Sequence, residues 1–368
     1  MGGLNSETAR RENSMITYEQ VVDLWQHKKI STGADLSAIM NERSISFAYN
    51  SCKIENENIT YNDTREIFNN DGVINYTGDL RTLFEIRNAK LANELFYTAF
   101  DEKRVLDQEL LQRFQRNITL NTYDERRWQI GERPGQYKHH DFVTGKNEVG
   151  ALPEDVEMEL AELLDEMQGI SDKDILVASA YFHAKFENIH PFADGNGRTG
   201  RLAMNYLLVT HNHPPIIIHA EDKKEYYEAL EAWDSRQSLK EFVSYLKVQS
   251  VKTWERRFER ELSSNKGLAN DISTLFKMSL RENGLYADNG SLINLDTVLK
   301  DVEQKSGTKL ITVSSSIDGK LTGLKSTALP DKVISVGEPI AYTPIQREKT
   351  IKQHDRTHNK KHTQERNH

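Results

Sequence analysis

The stretch ENIHPFADGNGRTGRLAMN, residues 187–205, constrains this 368-residue chain more than any other. Before it, Ile175, Leu176, Ser179, Phe182 and Phe186 recur at the spacing of one helix face, and after it Leu202, Tyr206 and Val209 do the same. One helix must therefore stop and another start inside the stretch. His190 precedes Pro191, and a residue before proline is biased away from the helical region. Gly195, Asn196, Gly197 and Gly200 permit a tight turn and close approach of a ligand. They fall at a helix N-terminus, where unpaired N–H groups and the helix dipole favour an anion. Arg198 and Arg201, three apart, share a face of that helix and suit forked binding of phosphate. Asp194, next to the turn, is a candidate Mg²⁺ ligand beside a polyphosphate, with a helix cap as the plainer alternative. His190 points toward the loop mouth, where a neutral imidazole accepts a proton from an incoming hydroxyl.

The rest of the chain frames this loop. Helical periodicity runs through most of the first 260 positions, including Leu80, Leu83 and Phe84, then Leu160, Leu163 and Leu164. A β-hairpin or extended loop is expected at residues 137–149, followed by a new helix after Pro153. Residues 241–262 read as a long amphipathic helix. SSNKG at 263–267 reads as a linker. Two short helices (271–281 and 292–304) and three strands follow in a small α/β appendage. The resulting expectation is a mainly α chain: a leader and first helix at 1–40, a helical core at 41–262, the appendage at 268–340, and a basic, disordered tail at 341–368. His354, His358 and His362 in that tail read as solvated. The first residues match an N-myristoylation pattern, but a disordered leader is the simpler reading.

Composition narrows the classes. Hydrophobic residues make up 37% and charged residues 28%, and no long apolar run suggests a membrane span. The net charge is −8, although residues 346–368 hold seven Lys/Arg against three Asp/Glu. The acidic remainder argues against a broad nucleic-acid surface. The single cysteine, Cys52, cannot form an internal disulfide, so a reducing, cytoplasmic compartment is the simplest expectation.

HPFADGNGRTGR, residues 190–201, resembles the signature of Fic-domain proteins. GQYKHHDFVTG with VGALPEDV resembles the family's flap hairpin and the helix after it, and KKEYYEALEAWD resembles the segment covering the nucleobase. The resemblance implies a Fic-type helical core with a hairpin flap, and transfer of AMP from ATP to a Ser, Thr or Tyr hydroxyl of a target protein, with release of pyrophosphate. On this likeness His190 is the general base and Asp194 the Mg²⁺ ligand. Gly195, Asn196 and Gly197 cradle the phosphates, within a binding loop that also includes Thr199 and Gly200. Arg198 contacts the phosphates and Arg201 receives the γ-phosphate. Kinase-like Doc relatives carry lysine at the place of Gly197, so glycine favours AMP transfer. Phe142, Val143, Thr144 and Gly145 are candidates for the flap tip, where an extended target segment can add as a strand. Tyr227 is a candidate for stacking on adenine. Asp234 stands where family members often have asparagine, which leaves the base contact open.

Upstream, YNSCKIENENIT places Ser51 and Glu55 four apart on one helical face, followed by Asn56. This resembles the family's inhibitory helix, expected here at about residues 45–57, whose glutamate takes the arginine that the γ-phosphate needs. The expected partners are ATP and a protein substrate at the flap, the chain itself included. Neither a membrane nor, outside the C-terminal region, nucleic acid is expected; an oligomer stays open. Two other readings also stay open: an enzyme that removes AMP with the help of Glu55, and a binding module with a vestigial site.

Overall fold

The structure is a computed structural model that describes residues 16–142 and 150–343. The chain divides by its contacts into two units, Met1–Phe258 and Glu259–His368. Among the described residues the regular elements of the first unit are all helices. Its helices in chain order are α1 Tyr18–Gln26, α2 Gly33–Met40, α3 Glu42–Glu55, α4 Tyr61–Asn70, α5 Leu80–Asp101, α6 Gln108–Thr119, α7 Glu125–Gln129, α8 Val156–Glu166, α9 Ile175–Ile189, α10 Asn196–Thr210 and α11 Lys223–Arg236, and α12 Lys240–Asn283 begins in it and ends in the second unit. The second unit adds α13 Leu295–Ser306 and strands β1 Leu310–Ser314, β2 Leu321–Ser326 and β3 Leu329–Ile340.

The centre of the first unit is the α9–α10 pair, with α6 packed on α10. Ile175, Leu176, Ser179, Phe182 and Phe186 are all buried, so the helix face read from the sequence is the core face of α9. Almost every side chain of α10 is buried, including Asn196, Arg198 and Arg201. A helix submerged on all sides normally carries apolar residues. The polar ones on α10 therefore need partners supplied by other helices. Helix α3 lies against α10 and α5, and brings residues 51–56 to the start of α10.

In the second unit β1, β2 and β3 form an antiparallel sheet in sequential order. Leu321, Leu324, Ile334 and Val336 bury one face against Leu295, Val298, Leu299 and Val302 of α13 and Ile272 and Phe276 of α12.

Two sequence expectations are corrected here. SSNKG is not a linker, and residues 271–281 are not a separate helix: α12 is continuous through both. Its early turns bury Phe242, Leu246, Trp254 and Phe258 in the first core, and its later turns bury Ala269, Ile272 and Phe276 in the second. Gly267 costs a helix interior only about 1 kcal/mol relative to Ala, less than such burial returns. Of the expected hairpin at 137–149, residues 137–142 carry no strand, and the remainder lies outside the described residues. No helix among the described residues is long and apolar enough to cross a membrane.

Candidate active site

The loop between α9 and α10 is built by backbone conformation. His190 ends α9 in the left-handed region at φ 51°, ψ 60°, so it leaves the helix as expected but not toward extended geometry. Its N–H still bonds to the Phe186 carbonyl. Gly195 opens α10 at φ 83°, and a Cβ there would sit 2.6 Å from the Thr119 methyl. The Asn196 side chain clamps the loop, accepting from the Phe192 N–H at 2.9 Å and donating to the Phe192 carbonyl at 2.7 Å. The loop is also held from outside. The Lys138 N–H bonds to the Pro191 carbonyl and the Ala151 N–H to the Ile189 carbonyl, both at 2.9 Å, while Gln115 Nε2 donates to the Asp194 carbonyl at 2.8 Å. Residue 138 lies near the start of, and residue 151 just after, the segment 137–149 that the sequence reads as a flap.

The two arginines of α10 do not converge on one partner. Arg201 Nη2 donates to Glu55 Oε1 at 2.8 Å and to the Ser51 carbonyl at 2.9 Å, and its Nε donates to Ser51 Oγ at 3.2 Å. Its side chain is only 2% exposed. The Glu55 carboxylate lies directly over Gly197: a Cβ at that position would collide with Glu55 Oε1 and stand 2.9 Å from Arg201 Nη1. The glycine thus leaves room for an anion at the start of α10, and Glu55 fills that room. Arg198 instead donates through Nη2 to Asp194 Oδ1 at 3.1 Å, with its Nη1 3.5 Å from Glu85 Oε1. Arg198 Nε and Nη1 are buried without a hydrogen-bond partner among the described residues, which leaves donors for a further anion.

Charge states follow from these surroundings. Burial and the nearby Lys138 amine push the His190 imidazole down to about 4, so it is neutral near pH 7 and able to accept a proton. Burial acts to raise the Glu55 carboxyl, but Arg201 and Arg198 outweigh it and hold the group below the usual carboxylate range. Burial raises Glu187 to about 8 and lowers His183 to about 3, so both are neutral near pH 7. Glu55 is therefore the acid that supplies charge to Arg201. Tyr226, kept protonated by burial, lies with its hydroxyl 2.7 Å from His183 Nε2 and 3.4 Å from Arg201 Nη1.

Among the sequence candidates, His190, Asp194, Gly195, Asn196, Gly197, Arg198, Arg201, Ser51 and Glu55 come together around the start of α10. Thr199 is buried and Gly200 packs against His183, so these two serve the helix interior. Asn56 ends α3 and donates to Glu85 Oε2 at 2.7 Å. Asp194 is not the helix cap, because Gly195 holds that place. Tyr226 and Leu230 are core residues, whereas Tyr227 is 43% exposed. Phe142 is half-buried; Val143, Thr144 and Gly145 lie outside the described residues. Sequence reasoning missed Arg81, Glu85 and Lys138. The i,i+4 spacing of Arg81 and Glu85 was the available signal, and it marks an ordinary surface pair as readily.

The residues fit a nucleotide-borne divalent cation. Among the described residues no group of three or more His, Cys, Asp or Glu is arranged to hold a metal unaided. Magnesium bound with phosphates needs only one or two protein carboxylates. Asp194 supplies one, and both its oxygens already receive cationic groups, from Arg81 at 2.9 Å and Arg198 at 3.1 Å.

Residues 105–208 match the profile of the Fic/DOC family. Over 122 residues the chain is 31% identical to a protein adenylyltransferase Fic of Culex quinquefasciatus, an overlap of 32% of this chain and 23% of that protein. Over 99 residues it is 38% identical to the protein of the same name from Nematostella vectensis, an overlap of 26% and 23%. The chain thus spans about a quarter of the length of these relatives. Its fold is similar to the crystal structure of a Fic domain containing signaling protein from Bacteroides thetaiotaomicron, with a TM-score of 0.56 and 24% identity over 64% of this chain and 93% of that one.

Proposed function

We propose, from the premise that this chain carries a Fic/DOC-family domain, that it transfers AMP from ATP to a hydroxyl of a protein target and that Glu55 restrains the reaction. The observation that carries this reading is the arrangement around the start of α10. A neutral His190 shares a loop with a helix N-terminus and two buried arginines, each compensated by a carboxylate that a triphosphate can replace.

In this reading the α10 N-terminus and Arg198 bind the phosphates next to the scissile bond, and Arg201 binds the terminal phosphate. His190 removes the proton from the attacking hydroxyl as it meets the α-phosphorus, and pyrophosphate leaves on the opposite side. Asp194 would hold Mg²⁺, which when bound supplies charge neutralisation for the phosphates. Tyr227, half-exposed beside Lys223, supplies a ring face for the base.

The restraint is a competition for Arg201. A γ-phosphate must displace the 2.8 Å pair with Glu55 to reach the guanidinium. Until it does, the triphosphate is anchored at one end only and its α-phosphorus is out of line with the hydroxyl.

Incorporation from α-labelled and γ-labelled ATP by the Glu55→Gly variant tests the reaction class. AMP transfer predicts acid-stable label from the α position only. Label from the γ position indicates phosphoryl transfer and contradicts the proposal.

A further inference from the structure

A closed box of four charges surrounds Asp194. Arg81 donates through Nη2 to Asp194 Oδ2 at 2.9 Å and through Nε to Glu85 Oε1 at 3.1 Å. Arg198 spans the same two acids from the other side, 3.1 Å from Asp194 Oδ1 and 3.5 Å from Glu85 Oε1. Two positive and two negative groups cancel.

The four members are not equally fixed. Arg198 and Glu85 are 6% and 4% exposed. Glu85 is tied by Asn56, and the Asp194 carbonyl is tied by Gln115. Arg81 stands in the first turn of α5 and its side chain is 40% exposed. It is the member whose head group can turn into water without leaving a buried cation behind. When it turns away Glu85 still has Arg198 Nη1 at 3.5 Å and the Asn56 amide at 2.7 Å.

This geometry has a consequence for any cation that comes to Asp194. While Arg81 is bound, both Asp194 oxygens are engaged and the box is neutral. Once Arg81 turns away, one oxygen is free and the box holds an excess negative charge. We propose that Arg81 is a positioning residue that competes with the divalent cation for Asp194 Oδ2, and so sets how strongly metal assists nucleotide binding. The proposal rests on the metal role given to Asp194 above.

The test is calorimetric titration of the full chain with ADP, once in Mg²⁺ and once in EDTA. ADP lacks the phosphate that contends with Glu55 for Arg201. The quantity read is the ratio of the two dissociation constants, EDTA over Mg²⁺. For Arg81→Gln the ratio is expected to rise roughly fivefold, the upper end for a partly exposed ion pair, with the EDTA value within about twofold of wild type. Arg81→Lys keeps the charge but cannot span both acids, so its ratio rises roughly twofold; it also decides the matter if the glutamine variant does not fold. Asp194→Asn brings the ratio to about one, since the carboxylate assigned to the metal is gone. An unchanged or lower ratio in the Arg81 variants overturns the competitor role. So does an EDTA value that moves as much as the Mg²⁺ value, because Arg81 would then be touching phosphate itself. A wild-type ratio retained by Asp194→Asn removes the metal reading, and the proposal with it. That failure is distinguishable from the first because it appears in a different variant.

Discussion

The two units fill their interiors differently. The second buries Ile272, Phe276, Leu295, Val298, Leu321 and Leu324 around a small sheet, and its buried polar residues are hydroxyl-bearing Ser279, Thr308 and Ser326. The first has a larger apolar core, yet it also buries Arg198, Arg201, Glu85, Lys138 and His183 around one helix N-terminus. Burying charge costs free energy that apolar packing does not, unless each charge is paired and hydrogen-bonded. For Arg201, Arg198 and Glu85 the first unit supplies charged partners from α3, α5 and the start of α10, while Arg198 Nε and Nη1 keep no hydrogen-bond partner among the described residues. The difference teaches where chemistry resides. An apolar interior serves stability, whereas a charged interior whose pairs a ligand can exchange serves binding and reaction.

Substitutions should separate these roles, and the largest effect is expected at His190. His190→Ala should lower AMP transfer roughly a thousandfold, the range for loss of a general base, while ADP affinity changes little. Asp194→Ala should lower transfer on the order of a hundredfold and flatten its Mg²⁺ dependence; an unchanged Mg²⁺ titration would reduce Asp194 to a structural partner of Arg81 and Arg198. Phe276→Ala should do the reverse. It should destabilise the second unit by about 3–5 kcal/mol in a denaturant melt and leave transfer at low temperature unchanged. A loss of transfer as large as that at Asp194 would end the division of labour drawn here.

The smallest expected effect is on pH dependence. Because His190 lies near 4, its neutral form persists through the weakly acidic range, and protonation removes the base only below that. Loss of Glu55, whose negative charge raises this value, moves it further down. In the Glu55→Gly variant kcat/KM should therefore fall by only about 10% between pH 7 and pH 5 through this group. An imidazole at the ordinary value near 6.5 would lose roughly 25-fold over the same interval.

Much of this was legible in the sequence, for identifiable reasons. The loop at 190–201 announced itself because glycines, an acid and arginines crowd a place where two helical patterns meet. Ser51 and Glu55 were legible by their four-residue spacing, and their meeting with Arg201 followed from the resemblance. The strands of the second unit were legible as short apolar runs between turns. Arg81 and Glu85 were not. Their i,i+4 pairing lies in a helical stretch of mixed character, and the contact with Asp194 spans more than a hundred residues that periodicity does not bridge. The continuity of α12 was hidden because a polar stretch with one glycine has the composition of a loop. The helix persists because Ile272 and Phe276 find a core further along.

The central claim is that Glu55 restrains transfer by holding Arg201. It is tested most directly by incorporation of α-labelled ATP by wild type, Glu55→Gly, Arg201→Ala and the double variant at matched concentration. Loss of one charge-assisted pair corresponds to a rise of roughly ten- to a hundredfold. Glu55→Gly should show that rise over wild type, and the double variant should show none of it. Equal incorporation by wild type and Glu55→Gly, or high incorporation by the double variant, would contradict the account.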